Sequence, residues 1–442
     1  VNDNGRDQNT IATIHRRGYR FVADARETVE QQQDDDHEIV KPATHNSAGS
    51  QKADDRLSLV VIPFSHHPGD EEAAWWAEVF SEDISIHLAR ISGFKVISRH
   101  SAMALENIQG DPQKVGNELK TQSVIDGSVR KFKQEYRISV QLIDVKSGQL
   151  IWSNHKSLAV ESIEDFQMDV VQKLVSRIEP ELNRAEFSSL RHRQPADLGG
   201  WSLCREANAV LGQKGWSKTT FAEAINLLRE AIRQDPELAF AHASLSLNVA
   251  LGHLLGLVHQ PDWQEEATRA AETALSLDSQ NSDVLGHVGC AFADMDNFQR
   301  GIPLMTRALE INPANAAAWA ALGAAKLRCG DESGVEDMRN GLNLSPRDNR
   351  LAAWGAVLAR GLLSYGRQDE AIEAARNACL YDDKIFLPRA ILTIALFLQG
   401  DKTGALNSWR DAQRILPGLS LDDITALAKP DELDQLRESD LF

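Results

Sequence analysis

Gly301-Ile-Pro-Leu-Met-Thr-Arg-Ala308-Leu-Glu-Ile-Asn312-Pro313 sets two small residues seven positions apart on one helical face and follows them with a helix stop. The arrangement recurs along the C-terminal half of the chain. The small pairs are Ala224 and Ala231, Ala267 and Ala274, Gly301 and Ala308, Gly334 and Gly341, Ala371 and Ala378, and Ala405 and Ala412. Their stops are Asp235-Pro236, Asp278-Ser279, Asn312-Pro313, Ser345-Pro346, Asp382-Asp383 and Leu416-Pro417. Successive copies lie 43, 34, 33, 37 and 34 residues apart, a period that predicts stacked helix pairs. Two antiparallel helices approach closely only where side chains are small, and larger residues fill the remaining gaps. Trp319, Leu322 and Gly323, with Gly330 at the following turn, carry that alternation.

On these spacings the segment 200–420 strongly resembles the tetratricopeptide repeat family, which implies an all-α solenoid whose first helices line a concave groove for a protein or peptide partner. His287, Asp294, Arg328 and Arg360 fall at positions expected to face that groove, and each is also readable as an ordinary solvated face residue. The second copy carries an insertion near Leu254 to Trp263, and the fourth lacks a residue near Glu332. Gly252 and Gly256 form a GxxxG, which in a repeat helix marks close packing. Residues 421–442 read as a polar capping helix.

The segment 57–190 has a different rhythm. Leu57-Ser-Leu-Val-Val-Ile-Pro-Phe64 reads as a buried strand ending at proline, and Gly69-Asp-Glu-Glu72 opens an amphipathic helix to about Ile91. A short strand at Phe94 to Ser98 precedes Asp111-Pro112, an N-cap with proline at the first helical position, which opens a helix to about Lys120. Strands follow at Gln122 to Phe132, Tyr136 to Val145 and Leu150 to Leu158, and then a long helix from about Ile163 to Leu190. Val61-Ile-Pro-Phe64, Phe80-Ser-Glu-Asp-Ile84, Val96-Ile-Ser-Arg99, Val124-Ile-Asp-Gly-Ser-Val-Arg130 and Val140-Gln-Leu-Ile-Asp144 resemble the TolB amino-terminal-like domain, which implies an α/β fold and no agreed chemistry. Glu82, Asp83, Asp126 and Asp144 read as surface and turn charges, since nothing sets them at metal-ligand or acid/base spacing. His66-His67 is a loop pair without a third ligand nearby.

At the start of the chain, Ile11-Ala-Thr-Ile-His-Arg-Arg-Gly-Tyr-Arg-Phe-Val-Ala23 reads as two short strands around a basic Arg16-Arg17-Gly18 tip. Residues 1–24, including Asp3-Asn-Gly-Arg6 as the leading turn, closely resemble the C-terminal wing hairpin of OmpR/PhoB-type winged-helix DNA-binding domains. The resemblance implies that Ile14, Tyr19 and Phe21 pack inward while Arg16, Arg17 and Arg20 reach phosphates or a narrow minor groove. Such a domain needs roughly 100 residues and a recognition helix, so the chain is expected to be truncated within it and to bind DNA weakly and salt-sensitively. Residues 25–56, with Gln31-Gln-Gln33 and Asp34-Asp-Asp36, are too poor in apolar side chains to offset their ordering entropy and read as a flexible linker.

Composition bounds the function. A chain of 442 residues with 42% hydrophobic and 25% charged residues suits several packed domains, and a net charge of -17 opposes general nucleic-acid affinity outside a local basic patch. No membrane span or signal peptide is evident, so a cytoplasmic location is expected. Cys204, Cys290, Cys329 and Cys379 are far apart, each inside a predicted helix, and read as reduced thiols. There is no P-loop, GxSxG, HExxH or strand-linked GxGxxG, and neither an enzymatic activity nor a cofactor is expected. The chain thus reads as a multidomain protein: the sensory and protein-interaction portion of a bacterial winged-helix transcriptional regulator. A tetratricopeptide scaffold and an accessory part of a nucleotide cyclase are the alternatives.

Overall fold

The structure, a computed structural model, describes residues 11–14, 18–21, 55–103, 105, 111–190, 199–346, 348 and 350–439. It divides into two compact units, Val1–Gln51 and Lys52–Phe442. In the first, β1 (Ile11–Ile14) pairs antiparallel with β2 (Gly18–Phe21), with Ile11 opposite Phe21 and Thr13 opposite Tyr19. Arg20 lies on β2 opposite Ala12, whereas Arg16 and Arg17 lie outside the described residues.

The second unit begins with a sheet whose first strand is buried on both faces. The order is β5 (Phe94–Ile97), β3 (Leu57–Val61), β6 (Ser123–Phe132), β7 (Glu135–Asp144) and β8 (Leu150–Ala159), and the two-residue β4 (Ser65–His66) adds to β6. β3 is parallel to β5 and β6, and the β6–β7–β8 meander is antiparallel. Leu59 and Val61 meet Trp76, Phe80, Ile84 and Leu88 of α1 (Glu71–Ala89) and Val171, Leu174 and Ile178 of α4 (Ile163–Leu190). Val60 and Ile62 meet Ala102 of α2 (Arg99–Met103) and Val115 of α3 (Pro112–Glu118). The apolar run Leu59-Val60-Val61-Ile62, continuous after Ser58, is what two-sided burial requires.

Three boundaries differ from the sequence reading. The expected strand to Phe64 stops at Val61, because Pro63 cannot donate to a ladder, and pairing resumes only at Ser65. The expected linker, residues 25–56, overlaps the fold at Asp55 and Arg56, which are described residues. The expected single capping helix is a 3-10 turn at Leu421–Leu427 followed by α17 (Pro430–Glu438), since Pro430 starts a helix readily and interrupts one poorly.

The rest is six helical hairpins among the described residues: α5 (Gly200–Lys214) with α6 (Lys218–Gln234), α7 (Ala239–Leu254) with α8 (Trp263–Leu277), α9 (Ser282–Asp294) with α10 (Phe298–Ile311), α11 (Ala316–Arg328) with α12 (Gly334–Leu344), α13 (Leu351–Ser364) with α14 (Gln368–Tyr381), and α15 (Leu387–Gln399) with α16 (Lys402–Ile415). Where the small residues stand, backbones touch: a Cβ on Gly301 would lie 2.6 Å from the Gly289 carbonyl, and one on Gly323 would lie 2.7 Å from that of Gly334. The array curls back on itself. Gly215, after α5, abuts the Lys384 carbonyl between α14 and α15. Asp423 is held acidic by Ser420 and by the charges of Lys218 and His259. Cys204, Cys290 and Cys379 sit in helices, but Cys329 follows the end of α11, and all four are free thiols.

Alanine favours a helix interior over glycine by about 1 kcal/mol, so the contact decides the sign of a glycine substitution. At Gly301 the added methyl meets backbone that moves only if α9 and α10 part, an overpacking cost of about 1–3 kcal/mol. Gly301→Ala is therefore expected to lower the urea midpoint. Gly286→Ala, whose methyl would meet Ala318 at an ordinary 3.4 Å, is expected to leave it unchanged or raise it.

Candidate functional site

Each hairpin joins the next through a tight junction, and these junctions form an edge to which the α/β domain is fastened. α5 begins at Gly199, which has no side chain to cap a helix. Asp55 supplies the cap from outside: its carboxylate accepts from the Ser202 amide at 2.8 Å, and its carbonyl accepts from Arg205 Nη2 at 2.8 Å. Two junctions on, Ser92 donates its amide to Asp283 Oδ2 at 2.9 Å and its hydroxyl to Asn281 Oδ1 at 2.5 Å. Arg90 reaches the Ile311 carbonyl at 3.1 Å, and Ala314 is buried in the α/β core itself. At the fourth junction Ser176 donates to the Leu344 carbonyl at 2.6 Å, while Ser345 donates to the Ser176 carbonyl at 3.2 Å.

An ionic cluster closes this edge. Glu179 of α4 faces Asp283, Asp348 and Arg350. Arg350 grips Asp348 through Nε at 2.8 Å and Nη2 at 2.7 Å, and Asp283 accepts from Asn315 Nδ2 at 3.0 Å. Burial and the charges of Asp283 and Asp348 push the Glu179 carboxyl up to about 8, against the opposing pull of Arg350. His287 adjoins the cluster, with its Nδ1 on the Asp283 carbonyl at 2.7 Å and its ring 5.0 Å from that of Phe240, which in turn stacks on Trp201 at 5.1 Å. Burial holds its pKa below the ordinary histidine value, although the Asp283 charge works the other way.

The remaining groove candidates are placed differently. Arg328 pairs with Asp294 at 2.9 Å and with Asp296 at 2.7 Å, joining the third and fourth hairpins. Burial raises Asp294 to about 6 despite that arginine. Arg360 pairs with Glu432 of α17 at 3.1 Å, so the C-terminal helix covers it. Of the four, only Asp294 and Arg328 meet one another. The first helices offer little open surface: α7, α13 and α15 are buried around most of their circumference. Residues 25–54 of the linker lie outside the described residues.

Asp55, Ser92, Ser176, Glu179, Asp283 and Arg350 were not singled out from the sequence. The local signal available was Asn281-Ser-Asp283, an N-cap whose Asn281 Oδ1 accepts from the Asp283 and Val284 amides, and that signal gives no hint of a distant Ser92. Among the described residues there is no group of three or more His, Cys, Asp or Glu arranged to hold a metal ion, and no helix long and apolar enough to cross a membrane.

No protein-family model matches the chain. A protein of Rhizobium meliloti (strain 1021) described as putative adenylate cyclase 3 is 31% identical over 239 residues, which are 53% of this chain and 40% of that protein. The chain thus spans well under half the length of this curated relative. Similar solved structures include PilF of Pseudomonas aeruginosa, 16% identical with a TM-score of 0.35 over 54% of this chain and 96% of that one. YrrB, described as a TPR protein with an unusual peptide-binding site, is 15% identical with a TM-score of 0.30 over 48% and 97%. The Cut9–Hcn1 hetero-tetramer of the APC/C is 14% identical with a TM-score of 0.40 over 60% and 54%.

A carboxyl that holds its proton more tightly when docked than when free contributes stability that is complete below its ordinary pKa and is lost as pH rises through the raised value. For Glu179 that window runs from 4.5 to about 8. The melting temperature of the chain is expected to fall across it, and Glu179→Gln is expected to flatten the profile and to melt at least about 2 °C above the parent at the alkaline end. Equal slopes for the two proteins would remove Glu179 from the account.

Proposed function

We propose that the 52–442 unit is a non-enzymatic protein-interaction module, in which the α/β domain and the helical array work as one regulatory body within a larger signalling protein. The observation that carries this reading is the docking edge, where the α/β domain is fastened at four places along an array of helical hairpins. Protein partners then meet a preset surface, since separating the two parts would break several hydrogen bonds at once, most of them part-buried. Of the groove candidates, Asp294 and Arg328 are nearest such a role, since Arg360 is covered by α17 and His287 adjoins the docking edge. Asp294 and Arg328 hold two hairpins in register, and partner binding there would be felt by both. The partial match to a putative adenylate cyclase supports a neighbouring reading, in which the same body accompanies a nucleotide cyclase.

A second reading is favoured by the β1–β2 hairpin and its residues Arg16, Arg17 and Arg20. In it the output is DNA binding by a winged helix, and the 52–442 unit is its sensor. The two readings separate in solution. The DNA reading expects the chain to bind a short duplex weakly, with affinity falling steeply as salt rises and disappearing in Arg16→Ala/Arg17→Ala/Arg20→Ala. The interaction reading expects cross-linking in cells of the native host to join the array to other polypeptides, with the yield reduced by Arg328→Ala. A chain that stays monomeric and uncross-linked in those cells would sink the interaction reading whatever the DNA result.

A further inference from the structure

The sheet carries α1 and α4 on one face; on the other, α2 and α3 cover β3 and the Val124 end of β6, and beyond them the face of β6, β7 and β8 is open. Register sets its side chains in rows: Arg130 opposite Arg137 and then Ser157, Ser128 opposite Ser139 and then His155, and Asp126 opposite Gln141 and then Ser153. Two like charges directly opposite on neighbouring strands destabilise a sheet. Arg130 and Arg137 are both exposed, and neither has an ion-pair or hydrogen-bond partner among the described residues. Beside them Arg137, Ser139, Gln141, Ser153, Asn154 and His155 line a shallow depression of about 300 Å³. The side chains of Ser139, Gln141, Ser153 and His155 likewise lack a partner among the described residues. The acids nearest in sequence lie to the sides. Glu135 is one row beyond the arginines, and Asp126 is at the far end, where its Oδ1 accepts from the Gly127 amide at 2.7 Å. Glu72, on the covered face, is occupied by Lys131 at 2.7 Å.

We propose that this open face binds a small phosphorylated ligand, with the guanidinium forks of Arg130 and Arg137 on the phosphate and the hydroxyl of Ser139 and the ring of His155 completing the donor set. In a chain of net charge -17, a bare arginine pair is a local reversal of sign, and an oxyanion between the forks turns the repulsive row into an attractive one. The depression has the size of a small ligand, and its lining is hydrogen-bonding throughout, with the His155 imidazole as its single ring, which suits a phosphate group better than a stacked base. The site lies on the face of the sheet opposite α4 and is independent of the interaction reading above.

Calorimetric titration of the whole chain with pyrophosphate at fixed ionic strength tests the site. Saturable binding is expected, weakened at least about tenfold in Arg130→Ala and in Arg137→Ala and unchanged in Arg307→Ala on the array surface. Hydrogen exchange on 137–141 and 153–157 should slow with ligand. Without ligand, Arg137→Ala should melt above the parent, because the like-charge row is relieved; this also shows that the variant folds. Absence of binding, binding by either arginine variant as tight as by the parent, or penta-aspartate binding as tightly as pyrophosphate would each overturn the assignment, the last by reducing it to bulk charge.

Discussion

The helical array depends on backbone meeting backbone between the helices of a hairpin. Gly289 against Gly301 and Gly323 against Gly334 leave no room for a methyl group, and Gly355 against Ala378 leaves only enough for one. This close approach tilts each hairpin on the next and lets six of them return far enough for Gly215 to reach Lys384. Dispersion and apolar burial supply the energy, but the small residues decide the curvature. The junctions that follow α8, α10 and α12 share one edge, against the α/β domain.

That edge holds the α/β domain, and its chemistry explains why the contact is specific. Most of its bonds join a side chain of one part to a backbone group of the other: Asp55 to the amide of Ser202, Ser92 to Asp283, Arg90 to the carbonyl of Ile311, and Ser176 to that of Leu344. Helix ends leave amides and carbonyls without intrahelical partners, and a neighbouring domain can satisfy them as well as a local cap does. The ionic cluster around Glu179 adds a condition. Three carboxyl groups share the vicinity of Arg350, and the arrangement is tolerable while one of them keeps its proton.

The docking also redistributes the surface available to partners. With α7, α13 and α15 largely buried and Arg360 covered by α17, much of the first-helix surface is used internally. The turns opposite the docking edge stay open and carry exposed acids, including Asp296, Asp331, Glu332 and Asp401. The sheet contributes the opposite sign through Arg130 and Arg137. The unit therefore presents separate acidic and basic surfaces held in a fixed relation.

The sequence by itself determined what repeats locally. The recurrence of small pairs and stops marks six hairpins, and the apolar run from Leu57 marks a strand buried on both sides, since periodicity and turn chemistry act over a few residues. The alternation of β7 shows that one sheet face is solvated, though not that Arg130 and Arg137 oppose one another, because register is a property of two strands together. His287, Asp294, Arg328 and Arg360 were legible as polar positions on first helices, yet their partners were not. Tertiary structure alone decided that Asp55 caps a helix 147 residues away, that Glu432 answers Arg360 and that Glu179 enters the Asp283–Arg350 cluster. Each of these is one contact between segments far apart in the chain, and a single contact leaves no period behind it in the sequence.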